Sequence, residues 1–338
     1  MKKLISLLTA MTAVVCLTAG CKSNSTGAES GKATKPSTSE DAISVVTTIF
    51  PEYDWVTQLT KGNDNVEVTM LLDNGVDLHS FQPTADDVIK IADCDMFIYV
   101  GGESDEWVED ALAESTNKEM VVINLMEVLG ETVKAEELVE GMEGEEEAEE
   151  GEEGEEEVEY DEHVWLSLKN SKELVQAIAD GLAKIDSENA ALYQTNASAY
   201  VKELDALDRE YENAVKEGTF DTILFGDRFP FRYLVDDYQL NYYAAFVGCS
   251  AETEASFETI TFLAQKVDEL GLNAVLQIES ADGKIAQTIV DNTKDKNQEI
   301  LTLDSMQATT SEDVENGATY LAIMKSNLEV LKQALIYD

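Results

Sequence analysis

Two histidines, His79 and His163, are the only imidazoles among 338 residues. Each lies in a short polar and aromatic setting, Gly75-Val-Asp-Leu-His79-Ser-Phe-Gln-Pro-Thr84 and Tyr160-Asp-Glu-His163-Val-Trp165. Imidazole is the commonest protein ligand for zinc and suits several other transition metals. A chain this poor in histidine that places both in such settings points to a metal site. The two lie far apart in sequence, so only a tertiary fold could unite them.

The elements that must do so read as an alternation of strands and helices. Ile43 to Phe50 is a β-branched run that ends at Pro51, and the spacing predicts a strand followed by a helix over 51–60. Val66 to Leu72 predicts a strand leading directly into the His79 loop. Thr84 is a helix cap for the segment to Ala92. Asp95 to Val100, closed by Gly101-Gly102, and Met120 to Leu125 predict two more strands with a helix over 106–114 between them. Strands apolar on both faces and separated by helices imply a parallel sheet covered by helices. From Asn170 to about Gly218 one long helical pattern runs, with a break at Ser187-Glu-Asn. A second α/β series follows, with strands at 221–225, 240–246, 274–278 and 299–303. Its helices fall at 231–238, 256–271, 284–294 and 311–337.

The expected organisation is therefore a secretion signal over 1–20, a tether over 21–42 and an N-terminal α/β lobe over 43–168. A connecting helix follows over 169–218, and a C-terminal α/β lobe over 219–338. Within the first lobe, residues 132–160 read as a disordered acidic loop, because Glu fills 12 of the 17 positions from 143 to 159 and such a run repels itself. Lys2 and Lys3 precede an apolar stretch too short to span a bilayer comfortably, as in a signal peptide. The ending Leu17-Thr-Ala-Gly-Cys21 resembles the bacterial lipobox. That implies acylation of Cys21 and a lipid-anchored, extracytoplasmic protein at the cell membrane. Export permits a disulfide, and the spacing of Cys94 and Cys249 leaves bridge or free thiols open.

Composition narrows the function classes. With 23 Lys plus Arg against 69 Asp plus Glu, the formal charge is −46. Such a chain repels polyphosphates, which argues against nucleic acid, and it favours cations.

Thr48-Ile-Phe-Pro51, the His79 stretch through Pro83, Asp161-Glu-His-Val-Trp165 and the segment from Asp227 to Leu240 resemble the cluster A-I solute-binding proteins, the zinc and manganese receptors of ABC importers. The similarity covers roughly Ser44 to Tyr337. It implies two similar α/β lobes joined by one long rigid helix, with a metal in the cleft between them and an ABC permease as partner. It further implies a monomer. On this resemblance His79 and His163 are metal ligands. The family's third ligand position is occupied here by Arg228, a cation that cannot ligate, so its neighbour Asp227 is the replacement candidate. For the fourth ligand the Ile278-Glu279-Ser-Ala-Asp282 loop offers Asp282, or Glu279. Two imidazoles with carboxylates suit Zn²⁺, and also Mn²⁺; the expected cargo is Zn²⁺, with a manganese receptor or a surface adhesin as the alternatives. A metal-dependent hydrolase would need an open coordination position and a general base. The chain has no His-Glu-x-x-His and no histidine beyond the proposed ligands, so no enzymatic activity is expected.

Overall fold

The structure is a computed structural model that describes residues 42–144, 158–250 and 254–336. The signal segment, Cys21, nearly all of the tether and the centre of the acidic loop, 145–157, lie outside the described residues.

The N-terminal lobe alternates as expected: β1 (Ile43–Thr47), α1 (Phe50–Leu59), β2 (Val66–Met70), α2 (Ala85–Asp93), β3 (Met96–Tyr99), α3 (Trp107–Ala113), β4 (Val121–Asn124) and the short α4 (Leu125–Leu129). Local chemistry sets the boundaries. Pro51 sits in the first turn of α1, where its missing N–H costs nothing. Thr84 and Asp87 cap α2 reciprocally. The four strands form one parallel sheet in the order β2-β1-β3-β4. All carboxyl ends therefore lie on one edge, and the strand order reverses at the β1–β3 junction, where open α/β sheets place ligands. The loop after β2 carries His79, and the loop after β3 carries Ser104.

The connecting stretch is divided at 186–189, where the sequence break falls, into α5 (Leu168–Ile185) and α6 (Ala190–Glu217). The long element is α6, 28 residues, or about 42 Å at 1.5 Å per residue. It fastens to both lobes. Asn196 donates to the carbonyls of Leu59 and Lys61 at 2.8 and 2.9 Å, and the Tyr211 hydroxyl donates to the Met324 carbonyl at 2.6 Å.

The C-terminal lobe comprises β5 (Thr222–Leu224), β6 (Arg228–Phe229), α7 (Arg232–Tyr238), β7 (Asn241–Tyr243), β8 (Phe246–Val247), α8 (Phe257–Leu270), β9 (Ala274–Gln277), α9 (Lys284–Asn292), β10 (Glu299–Thr302), α10 (Ser311–Glu315) and α11 (Tyr320–Leu335). The pairs β10–β9, β5–β7 and β6–β8 are parallel, and a parallel bridge from Phe225 to Leu276 links the first two. Two expectations need correction. The strand expected over 240–246 is two short strands, with Ala244 and Ala245 between them. The final helix is two helices parted by a turn at Asn316–Gly317.

The flanks of the acidic segment are also structured. Ala135 bridges Tyr160, and Glu143 bridges Phe246. One hydrophobic cluster runs through both lobes and the helical pair, and a second lies under α8 and α9. Among the described residues no helix is long and apolar enough to cross a membrane.

Gly226, at the end of β5, fixes how closely α9 approaches. A Cβ there would meet the Ala286 Cα at 2.6 Å and its N at 2.9 Å, and backbone cannot rotate aside as a side chain can. Gly226→Ala is expected to cost about 1–3 kcal/mol, as overpacking usually does. An unchanged urea midpoint would contradict this close packing.

Candidate metal centre

His79 lies in a single 3₁₀ turn, Leu78–Ser80, whose start is fixed by the Asp77 carboxylate accepting from the His79 N–H at 3.0 Å. Its Nδ1 stands 2.8 Å from Ser104 Oγ and 3.4 Å from Glu162 Oε2. His163, fully buried, opens the 3₁₀ turn Val164–Leu166. Asp161 Oδ1 accepts from both the His163 backbone N–H, at 2.9 Å, and its Nδ1, at 3.0 Å. Trp165 packs on the same ring, with centroids 5.2 Å apart.

These partners settle what the other ring nitrogens offer. A carboxylate only accepts, so it holds the proton of His163 on Nδ1 and leaves Nε2 with a lone pair. At His79, Nδ1 meets the Ser104 hydroxyl and faces the Glu162 carboxylate, whose negative charge favours the proton on that nitrogen. The two Nε2 atoms then face each other at 3.2 Å. Two lone pairs at that distance repel unless a proton or a cation lies between them. Nitrogens each about 2.0–2.1 Å from a tetrahedral zinc stand about 3.3 Å apart, so the spacing that a shared proton allows also fits a shared metal ion.

The surroundings are acidic. Burial disfavours the imidazolium of His163, yet the charge and hydrogen bond of Asp161 outweigh it and raise its pKa. Burial likewise pushes the Glu162 carboxyl up, but the hydrogen bond and charge of His79 bring it below its ordinary value. Replacing Asp161 with Asn removes the charge that orients and enriches His163. Loss of such an outer partner typically costs 10–100-fold in metal affinity, and Asp161→Asn is expected to fall about there in a zinc titration. Unchanged affinity would mean that Asp161 is only a turn former.

Among the described residues the group able to hold a metal is His79, His163 and Cys249, whose donor atoms all lie within 4.8 Å of one another. Cys249 follows β8 in the C-terminal lobe. Its backbone N–H donates to Glu136 Oε1 at 3.1 Å, and burial, then Asp161, Glu136 and Glu162, push its thiol pKa up. Both Cys94 and Cys249 are free thiols. The residue before it, Gly248, lets this backbone approach: a Cβ there would lie 2.9 Å from the Phe229 carbonyl oxygen and 3.2 Å from His163 Cε1.

The carboxylates expected as third and fourth ligands do not join this group. Asp227 accepts from the backbone N–H of Arg228 at 2.9 Å and of Ile278 at 3.1 Å, so it ties β5 to the end of β9. Glu279 accepts from the Ser305 N–H and hydroxyl and from the Gln307 N–H at 2.7–3.2 Å. Asp282 is exposed and paired with Lys284. Asp227 and Asp282 instead line a neighbouring cleft of about 360 Å³ with Asp77, Arg228 and Ser250. There Arg228 forms an ion pair with Asp77 across the lobes. The cation that displaced the expected third ligand is thus an interlobe clasp. Sequence reasoning did not place Cys249 in this group, because a lone Cys after a strand carries no spacing signal.

Residues 45–334 match the family model described as zinc-uptake complex component A, periplasmic. The chain is 30% identical over 296 residues to the high-affinity zinc uptake system protein ZnuA of Bacillus subtilis, covering 88% of each. It is 29% identical over 297 residues to the zinc-binding protein AdcA of Streptococcus pyogenes, covering 87% of this chain and 56% of that one, so it spans about half the length of those relatives. The crystal structure of the Zn(II)-bound ZnuA-like domain of Streptococcus pneumoniae AdcA superposes with a TM-score of 0.67 at 25% identity, covering 88% of this chain and all of that one. This chain belongs to the zinc-uptake component A family.

Proposed function

We propose that this family member is the extracytoplasmic receptor of an ABC importer, that it captures Zn²⁺ through His79 and His163, and that it delivers the ion to a membrane permease. A lipid on Cys21 would hold it at the membrane. The observation that carries the reading is the pair of Nε2 atoms converging at 3.2 Å with both Nδ1 atoms already engaged. The zinc-binding and zinc-uptake names of the relatives support it. Zn²⁺ is cargo here, and the chain itself carries out no reaction.

The geometry also suits release. The imidazoles belong to one lobe and the Cys249 segment to the other, while a continuous core and the α6 beam limit any large motion. With donors drawn from both lobes, a small displacement of the Cys249 backbone relative to the imidazoles would open the site. In zinc-limited medium, cells lacking this protein should accumulate less zinc, and the wild-type chain but not a His79→Ala chain should restore it. Normal zinc accumulation in the deletion strain would sink the transport role.

A further inference from the structure

We infer that Cys249 Sγ is the third zinc donor, a thiolate supplied by the C-terminal lobe that completes the site across the cleft and selects the cargo. The inference rests on the zinc-receptor reading above and deepens it. Four observations converge. The Cys249 sulfur is grouped with both imidazole nitrogens within 4.8 Å. The thiol is unbridged. Glu136 anchors its backbone, and Gly248 permits the chain to pass against His163. Three nearby carboxylates are committed elsewhere: Asp227 to two backbone N–H groups, Asp77 to Arg228 and the His79 N–H, and Asp161 to His163.

On binding, a Zn–S bond forms, the S–H bond breaks, and the thiol proton leaves to solvent; no oxidant or reductant is involved. A coordinating thiol is held deprotonated by the metal. Two imidazoles and one thiolate leave one tetrahedral position unfilled by protein, as in zinc sites that exchange ligands. Sulfur is a soft donor that suits zinc, whereas Mn²⁺ favours carboxylate and water. The thiolate therefore sets the choice between the two ions.

The test uses Co²⁺, Zn²⁺ and Mn²⁺ on the metal-stripped protein. Wild type loaded with one equivalent of Co²⁺ should show an intense thiolate-to-cobalt charge-transfer band in the near ultraviolet, absent from Cys249→Ser. The variant should bind Zn²⁺ about 100-fold or more weakly, by the share of zinc affinity that one donor carries, with Mn²⁺ affinity little changed. Its metal-free melting temperature should match wild type. Peptide-resolved alkylation provides a check independent of any variant: one equivalent of Zn²⁺ should protect Cys249. No charge-transfer band and no protection, with binding still lost in His79→Ala, would overturn the thiolate and leave the receptor standing. Unweakened binding in the histidine variants would remove the receptor reading itself.

Discussion

Replacing His163 with alanine should weaken Zn²⁺ binding by about two to three orders of magnitude. Zinc held by a full protein ligand set is bound by about 10–16 kcal/mol. Shared among three or four donors, that is about 3–4 kcal/mol each, and each 1.4 kcal/mol is tenfold. The variant should also lose stability without metal. His163 is wholly buried, and its removal leaves the Asp161 carboxylate, itself 2% exposed, without its ring donor. Leaving a buried acceptor unpaired costs about 1–3 kcal/mol, more when it is charged. His79→Ala should show the affinity loss with a smaller stability cost, because Glu162 keeps the Ser104 backbone N–H as a donor at 2.8 Å. An unchanged zinc dissociation constant in His163→Ala, measured by competition with a chelator of known affinity, would exclude this ring as a ligand.

The second large effect is expected at Trp165. Its ring is fully buried, packs at a tilt against His163, and donates from Nε1 to the Ser305 carbonyl at 2.9 Å, joining the two lobes. Its own carbonyl accepts from the Tyr320 hydroxyl at 2.7 Å. Trp165→Ala is expected to cost about 3–5 kcal/mol in packing, with an orphaned Ser305 carbonyl adding to it. Against a usual total of 5–15 kcal/mol, that is a large fraction. Trp165→Phe should recover much of the packing but not the interlobe hydrogen bond. Urea midpoints for the two variants check this, with zinc affinity falling alongside in Trp165→Ala because His163 loses its support. Equal midpoints for wild type and Trp165→Ala would show that the lobes do not depend on this contact.

What the sequence displayed and what it withheld follow from range. β1, β2, β3 and β4 were legible because continuous apolar, β-branched runs flanked by caps and glycines are local signals. Thr84 and Ser256 were legible as helix starts, since capping acts within three residues. The break between α5 and α6 was marked by Ser187-Glu-Asn. Less legible was the stretch after Leu240, where two alanines divide one apolar run into β7 and β8. That division matters, because β8 carries the chain to Cys249.

At the site, the histidines stood out by scarcity, and the structure unites them. Asp161 and Glu162, just before His163, face the two rings; the sequence displayed them only as neighbours. Arg228 was visible as a cation in a ligand's place, but its role as the partner of Asp77 is a contact between residues 151 positions apart. Cys249 belongs to the same class. Its nearness to His163 is a product of tertiary packing, which no spacing rule encodes.

The most direct test is a titration of the metal-stripped protein with Zn²⁺ in competition with Mn²⁺, beside a variant carrying His79→Ala and His163→Ala. We expect one tightly bound zinc per chain, preferred over manganese, and loss of that binding in the variant. Zinc affinity that survives removal of both imidazoles, or only weak binding of several ions, would contradict a receptor site in the cleft.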